Sequence, residues 1–184
     1  MSGASPWPYI VALGDARRGA SLQLAADDAA RAAIAKALDI ESLESLEADV
    51  DLSEWLDGVR IDGGWRARIV QICGVSLDPF ETALRGRFSV RAVPPGSPNA
   101  PAEPVGEVAI DEDAEDPPDV LESESLDVGF YVVEHLALEI DPFPRKPGVE
   151  FEQPDGPRPS SPFDVLRGLK RDCARPICIA TAPL

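Results

Sequence analysis

Residues 71–80, QICGVSLDPF, hold one half of a metal-ligand pattern. A Cys-x-x-Cys pair on a tight turn offers two thiolates to zinc, which takes about four Cys or His ligands in a tetrahedron. Cys73 fills the first thiol position, but Ser76 stands at the second. Further ligands are sparse. His135 is the one histidine, and Cys173 and Cys178 are separated by four residues in the tail DCARPICIATAPL. No metal is expected, and Cys73 reads as a small, buried, apolar residue at a strand end.

Nucleophilic catalysis lacks its parts as well. A Ser or Cys nucleophile needs a base, and His135 is the only histidine that could serve. It follows Glu134 in an apolar helical stretch, the setting of a hydrogen-bonded core or boundary histidine. Paired carboxylates are plentiful only in loop-like sequence, which cannot preorganise a transition state. Neither a phosphate-binding loop nor a glycine-rich dinucleotide turn is present. The chain reads as non-enzymatic and without cofactor, a metal- or thiol-dependent enzyme being the alternative.

The arginines are the sharpest constellation. Net charge is −16, from 33 acids against 17 Lys and Arg, and a uniformly acidic surface repels phosphate. The charge comes in blocks, however. Residues 41–59 carry seven acids and no base, 60–91 carry six arginines against three acids, and 101–140 carry thirteen acids with no Lys or Arg. Arg66 and Arg68 alternate with Trp65, Ala67 and Ile69, and Arg85, Arg87 and Arg91 lie opposite Leu84, Phe88 and Val90. Folding back at residues 74–79 sets Arg68 opposite Arg85 and Arg66 opposite Arg87, a like-charge arrangement that is destabilising unless neutralised. Three neutralisers fit: Asp49 beside Arg68 and Asp51 beside Arg66 from the preceding strand, an external anion, or an acidic loop that a partner displaces.

The elements that must position these rows follow from periodicity. YIVALGD and SLQLAA read as short strands about the turn DARRG. DDAARAAIAKALDI reads as a helix capped by Asp27 or Asp28, with Ile34, Ala37 and Leu38 on one face. In SLEADVDLSEW the period becomes two, with Leu46, Ala48, Val50 and Leu52 opposite Glu47, Asp49 and Asp51. That strand and the two arginine strands form an antiparallel meander. Residues 94–119, rich in Pro, Gly and acids, cannot bury enough apolar area to order themselves and read as a mobile loop. Asp127 caps a helix to about Ile140, buried through Val128, Val132, Val133, Leu136, Ala137 and Ile140, and the prolines of PFPRKP stop it. Pro162 opens a short terminal helix carrying Phe163, Leu166 and Leu169, and a flexible tail begins near 171. The expectation is one α+β domain over residues 1–184, an antiparallel sheet, open or partly closed, packed with about three helices. No apolar run is long enough for a bilayer, no secretory pattern opens the chain, and three widely spaced cysteines fit a reducing cytoplasm.

QICGVSLDPF, followed by VVEHLALEIDPFPRKPG and closed by SPFDVLRGLK, resembles the YceD-like large ribosomal RNA subunit accumulation proteins of bacteria and plastids over about residues 60–170. The resemblance implies a role in normal accumulation of 23S ribosomal RNA, with no catalytic activity. Some members are similar in having a Cys-x-x-Cys turn and a later His or Cys. Ser76 and PRKPG stand at both places here, so the resemblance implies no metal in this chain.

Two binding modes follow from the charge blocks. Asp111, Glu112, Asp113, Glu115 and Asp116, with the acids of 41–59, would hold a basic large-subunit ribosomal protein. Arg66, Arg68, Arg85, Arg87 and Arg91, with Arg145 and Lys146, would meet an anion such as a ribosomal RNA precursor. The net charge favours the protein partner. An interaction protein unrelated to ribosomes is the remaining alternative, and no membrane partner is expected.

Overall fold

The structure, a computed structural model, describes residues 5–101 and 116–151. In chain order the elements are β1 (Ile10–Ala12), α1 (Leu13–Arg17), β2 (Ala20–Ala25), α2 (Asp28–Ala37), β3 (Ser42–Trp55), β4 (Gly58–Ile72), β5 (Pro79–Val93), β6 (Asp119–Val120), β7 (Ser125–Asp127) and α3 (Val128–Glu139). All lie within the first 150 residues. The expected terminal helix and tail fall outside the described residues.

The period-two segments become the three long strands of a meander. β3, β4 and β5 pair antiparallel, β2 adds antiparallel to β3, and β6 adds parallel to β5, giving the order β2-β3-β4-β5-β6. The sheet is open, with β2 and β6 at its edges. Leu46, Ala48, Val50 and Leu52 of β3 and Val59, Ile61, Trp65, Ala67 and Ile69 of β4 are buried together. The helices pack on this one face, α1 and α2 against β3 and α3 against β4 and β5. Each buried Val, Leu or Ile stabilises the fold by roughly 1.5–3 kcal/mol. The fold is therefore α+β, with one sheet face left bare by the described helices.

Local chemistry sets the helix ends. Asp27 caps α2 by accepting from the Ala30 N–H at 2.8 Å. Asp127 caps α3 by accepting from the Phe130 N–H at 3.2 Å and also holds the Tyr9 N–H at 2.9 Å. The region read as two strands about DARRG differs. Leu13 and Ala16 both turn inward, which makes LGDAR a one-turn helix ended by Gly19 at φ 85°. β1 pairs with β7 in a separate two-stranded sheet, not beside β2. In α2 it is Ala35, not Ala37, that is buried with Ile34. In α3, Ala137 is exposed and Tyr131 is buried in its stead.

The hairpins correct the expected register. β3 turns into β4 through Leu56 and Asp57 alone, with Leu56 at φ 52°, so Glu47 meets Arg66 and Ser45 meets Arg68. Ile72 pairs with Pro79 across the next turn, so Arg66 faces Arg85, Arg68 faces Ala83 and Gly64 faces Arg87. Asp49 and Asp51 thus face Gly64 and Asp62, not arginines. Both shifts are by an even number of residues, which leaves every side chain on its expected face.

Part of the segment read as an acidic loop is described. The Asn99 side chain donates to Asp57 at 2.8 Å, fastening residues 94–101 to the β3–β4 turn. Hydrogen bonds from Asn99 and Ser97 hold the Asp57 carboxyl below its ordinary pKa. β6 begins at Asp119. Residues 102–115, and with them Asp111, Glu112, Asp113 and Glu115, lie outside the described residues. None of the described helices is long and apolar enough to cross a membrane.

Candidate functional site

Strand pleating turns every second residue of β3, β4 and β5 away from the helices. On that side β3 presents Glu47, Asp49 and Asp51, β4 presents Arg60, Asp62, Gly64, Arg66 and Arg68, and β5 presents Glu81, Arg85, Arg87, Ser89 and Arg91. Acids line one flank and arginines the other. Gly64 has no side chain to fill the row between Asp49 and Arg87, and an open depression of about 540 Å³ lies there, bounded by Glu47 and Asp49 opposite Arg66, Arg85 and Arg87. Arg60 was not among the residues singled out from the sequence. It lies on this face opposite Arg91, and its even spacing from Arg66 was the signal for it.

The arginines are compensated unequally. Arg66 donates to Glu47 through Nε at 2.7 Å and lies 2.6 Å from it through Nη2. Arg60 pairs with Asp62 at 3.1 Å, and Arg68 reaches Glu81 only at 3.8 Å. These pairs are exposed, so each contributes at most about 1 kcal/mol. Arg91 donates to the Asp116 carbonyl at 2.6 Å, and its guanidinium lies 5.2 Å from the centre of the Trp55 ring. Arg85 and Arg87 form no ion pair or side-chain hydrogen bond among the described residues, although Arg85 stands directly opposite Arg66. Like charges thus do stand opposite one another, but at Arg66–Arg85 and Arg60–Arg91 and not at the expected pairs.

Arg145 and Lys146 do not join this row. The segment after α3 is fastened to the β4–β5 turn. The Gln71 side chain donates to the Asp141 carbonyl at 3.1 Å, and the Gly74 N–H donates to the Pro144 carbonyl at 2.9 Å. Lys146 reaches Asp78 at 3.8 Å, while Arg145 is exposed without an ion pair among the described residues.

Cys73 lies at the centre of this junction and is fully buried. Its sulfur is not the apolar filler expected. It accepts from the backbone N–H groups of Val75 at 3.4 Å, Ser76 at 3.5 Å and Lys146 at 3.4 Å. These donors, led by Lys146 and then Ser76, pull the thiol from its ordinary value of 9.0 to about 6. The two segments that the sequence pairs by resemblance are therefore joined at one sulfur, and Ser76 contributes a donor where a second thiol would have stood. A depressed pKa stabilises the fold fully above the unfolded thiol's pKa and loses that contribution as pH falls through the folded value. The stability difference between the protein and Cys73→Ala should accordingly widen between about pH 6 and pH 9. Urea unfolding at three pH values measures it, and a flat difference would show that the buried thiol stays protonated.

His135 is half-buried and stacks on Phe88 with ring centroids 4.5 Å apart. Its Nε2 is buried without a hydrogen-bond partner among the described residues, unlike the satisfied histidine expected. No group of three His, Cys, Asp or Glu among the described residues could hold a metal ion.

Comparison with characterised proteins finds no match, and neither does comparison with solved structures. A family model does match, over residues 61–170, and that stretch takes in β4 from Ile61, β5, α3 and the Cys73 junction that ties them. With well over half of its 184 residues matched, the chain belongs to the family described as large ribosomal RNA subunit accumulation protein YceD.

Proposed function

We propose that this chain supports accumulation of 23S ribosomal RNA as a non-enzymatic factor that holds a component of the assembling large subunit on the bare face of its sheet. One observation carries the reading. Arg85 and Arg87 are exposed and without an ion pair among the described residues, on a face shared with Arg60, Arg66, Arg68 and Arg91. An anion arriving there relieves the Arg66–Arg85 repulsion, so binding gains where folding loses. Successive arginines on one strand lie about 6.5 Å apart, a row rather than a point, suited to the repeated phosphates of a ribosomal RNA precursor. Arg145 and Lys146 add a separate basic spot beside the β4–β5 turn. On this reading the protein works in the cytoplasm as a single domain.

A second reading, a basic large-subunit ribosomal protein, is favoured by Asp49 and Asp51, which lack ion pairs among the described residues on the acidic flank, and by the net charge of −16.

Anisotropy of a labelled 23S precursor fragment tests the first reading. Arg85→Ala with Arg87→Ala should weaken binding about tenfold or more at low salt and reduce the salt slope by about 0.7–0.9 for each lost phosphate contact. An unchanged slope would remove these arginines as phosphate contacts. The variant should melt no lower than the parent, because the like-charge pair is gone.

A further inference from the structure

A second surface lies on the other side of the molecule's chemistry. A cavity of about 530 Å³ opens between β6, the start of β7 and the outer side of α3. Its acidic lining is Asp119, Glu122, Asp127 and Glu134, and among the described residues no Lys or Arg contributes. Asp119, Glu122 and Glu134 form no ion pair among the described residues. Asp127 is already engaged as the α3 cap.

Apolar side chains that a lone protein would be expected to cover lie in the same cleft. Ile10 is 61% exposed, and Val120 and Phe130 are each 47% exposed. Phe130 and Glu134 are one turn apart on α3, which places ring and carboxylate side by side. The same carboxylates act on Tyr131. Its hydroxyl pKa is pushed upward, first by burial and then by the charge and hydrogen bond of Asp119, with Glu134 and Asp127 adding to it.

We propose that this cleft is a docking site for a basic polypeptide segment in which an apolar side chain sits between lysines or arginines. The carboxylates exclude a nucleic-acid backbone, because phosphates approaching them meet like charge. They surround an apolar floor, so the complementary partner carries cations around a hydrophobic anchor. β6 is the edge strand of the main sheet, which gives an extended segment backbone groups to pair with. The inference rests on the reading of the chain as a binding factor, but not on the arginine face. Either surface can fail its test while the other passes.

The test is anisotropy at low salt with a labelled twelve-residue peptide of alternating Lys, Arg and Leu, using the full chain. Glu122→Gln with Glu134→Gln should weaken binding about fivefold or more, and Phe130→Ser should weaken it independently. All substituted side chains are exposed, and circular dichroism checks that each variant stays folded. The proposal is overturned if the parent does not bind the peptide, or if the cleft variants bind it as the parent does. It is equally overturned if Asp49→Asn with Asp51→Asn causes the same loss, which would mean unselective attraction. Loss of RNA binding in the cleft variants, with peptide binding kept, would assign the surface to RNA instead.

Discussion

Gly129→Ala should destabilise the protein by about 2–4 kcal/mol, a large part of the 5–15 kcal/mol that holds a typical domain together. A methyl group built on Gly129 would lie 1.9 Å from the Trp7 carbonyl oxygen and 3.1 Å from its carbon. Both obstacles are backbone, so no rotamer change relieves them. The segment cannot simply drift away either, since the Tyr9 N–H is held by Asp127 and the Tyr9 carbonyl accepts from the Val128 N–H at 2.9 Å. Trp7 itself is buried in the core. The first turn of α3 and residues 7–9 must separate, and the cap and the Trp7 packing weaken together. Equilibrium urea unfolding measures the loss. A change under about 0.5 kcal/mol would mean that residues 7–9 are not seated on α3.

Ile69→Ala should cost about 2–5 kcal/mol, while its neighbour Arg68→Ala should stay within about 0.5 kcal/mol. Ile69 is fully buried beneath the helices, between Leu43 of β3 and Thr82 of β5. Removing its side chain both forfeits transfer free energy and leaves a cavity that a five-stranded sheet closes poorly. Arg68 points to the opposite side and, among the described residues, makes only a long contact with Glu81. The two substitutions, one residue apart, therefore separate the layer that folds the protein from the layer proposed to bind. Equal losses at both positions would mean that the bare face is packed against something.

Much of this was legible before the structure. The alternation in Leu46 to Leu52 and Trp65 to Ile69 assigned both the strands and their faces, because a strand with one face buried must repeat every two residues. Asp27 and Asp127 announced their helices by standing just before apolar periodic stretches. The pairings across the sheet were not legible. They depend on the turn: the Asp57-Gly58 dipeptide marks a hairpin here, but the turn residues are Leu56 and Asp57, one place earlier, with Leu56 at φ 52°. So the arginines were assigned to the right side with the wrong neighbours. α1 was hidden because its five residues are too few to show a helical period, and its cause, the inward pull on Leu13 and Ala16, is tertiary. The cleft on α3 was invisible for the same reason. Ile10, Val120 and the Phe130–Glu134 turn come from three separate stretches, gathered by the β1–β7 and β5–β6 pairings.

That pairing has a consequence for how the molecule is made. Residues 42–93 can zip up as successive hairpins, each strand meeting one synthesised just before it. Residues 10–12 have partners only at 125–127, and the Leu13 N–H waits for the Glu124 carbonyl at 3.0 Å. Chains grow from the N-terminus, so residues 10–12 stay unclasped until residues 125–127 have been built. Trp7 and Leu13 leave the ribosome well before β7 and α3, which close over them, the interval being set by the time needed to translate a hundred and more intervening residues.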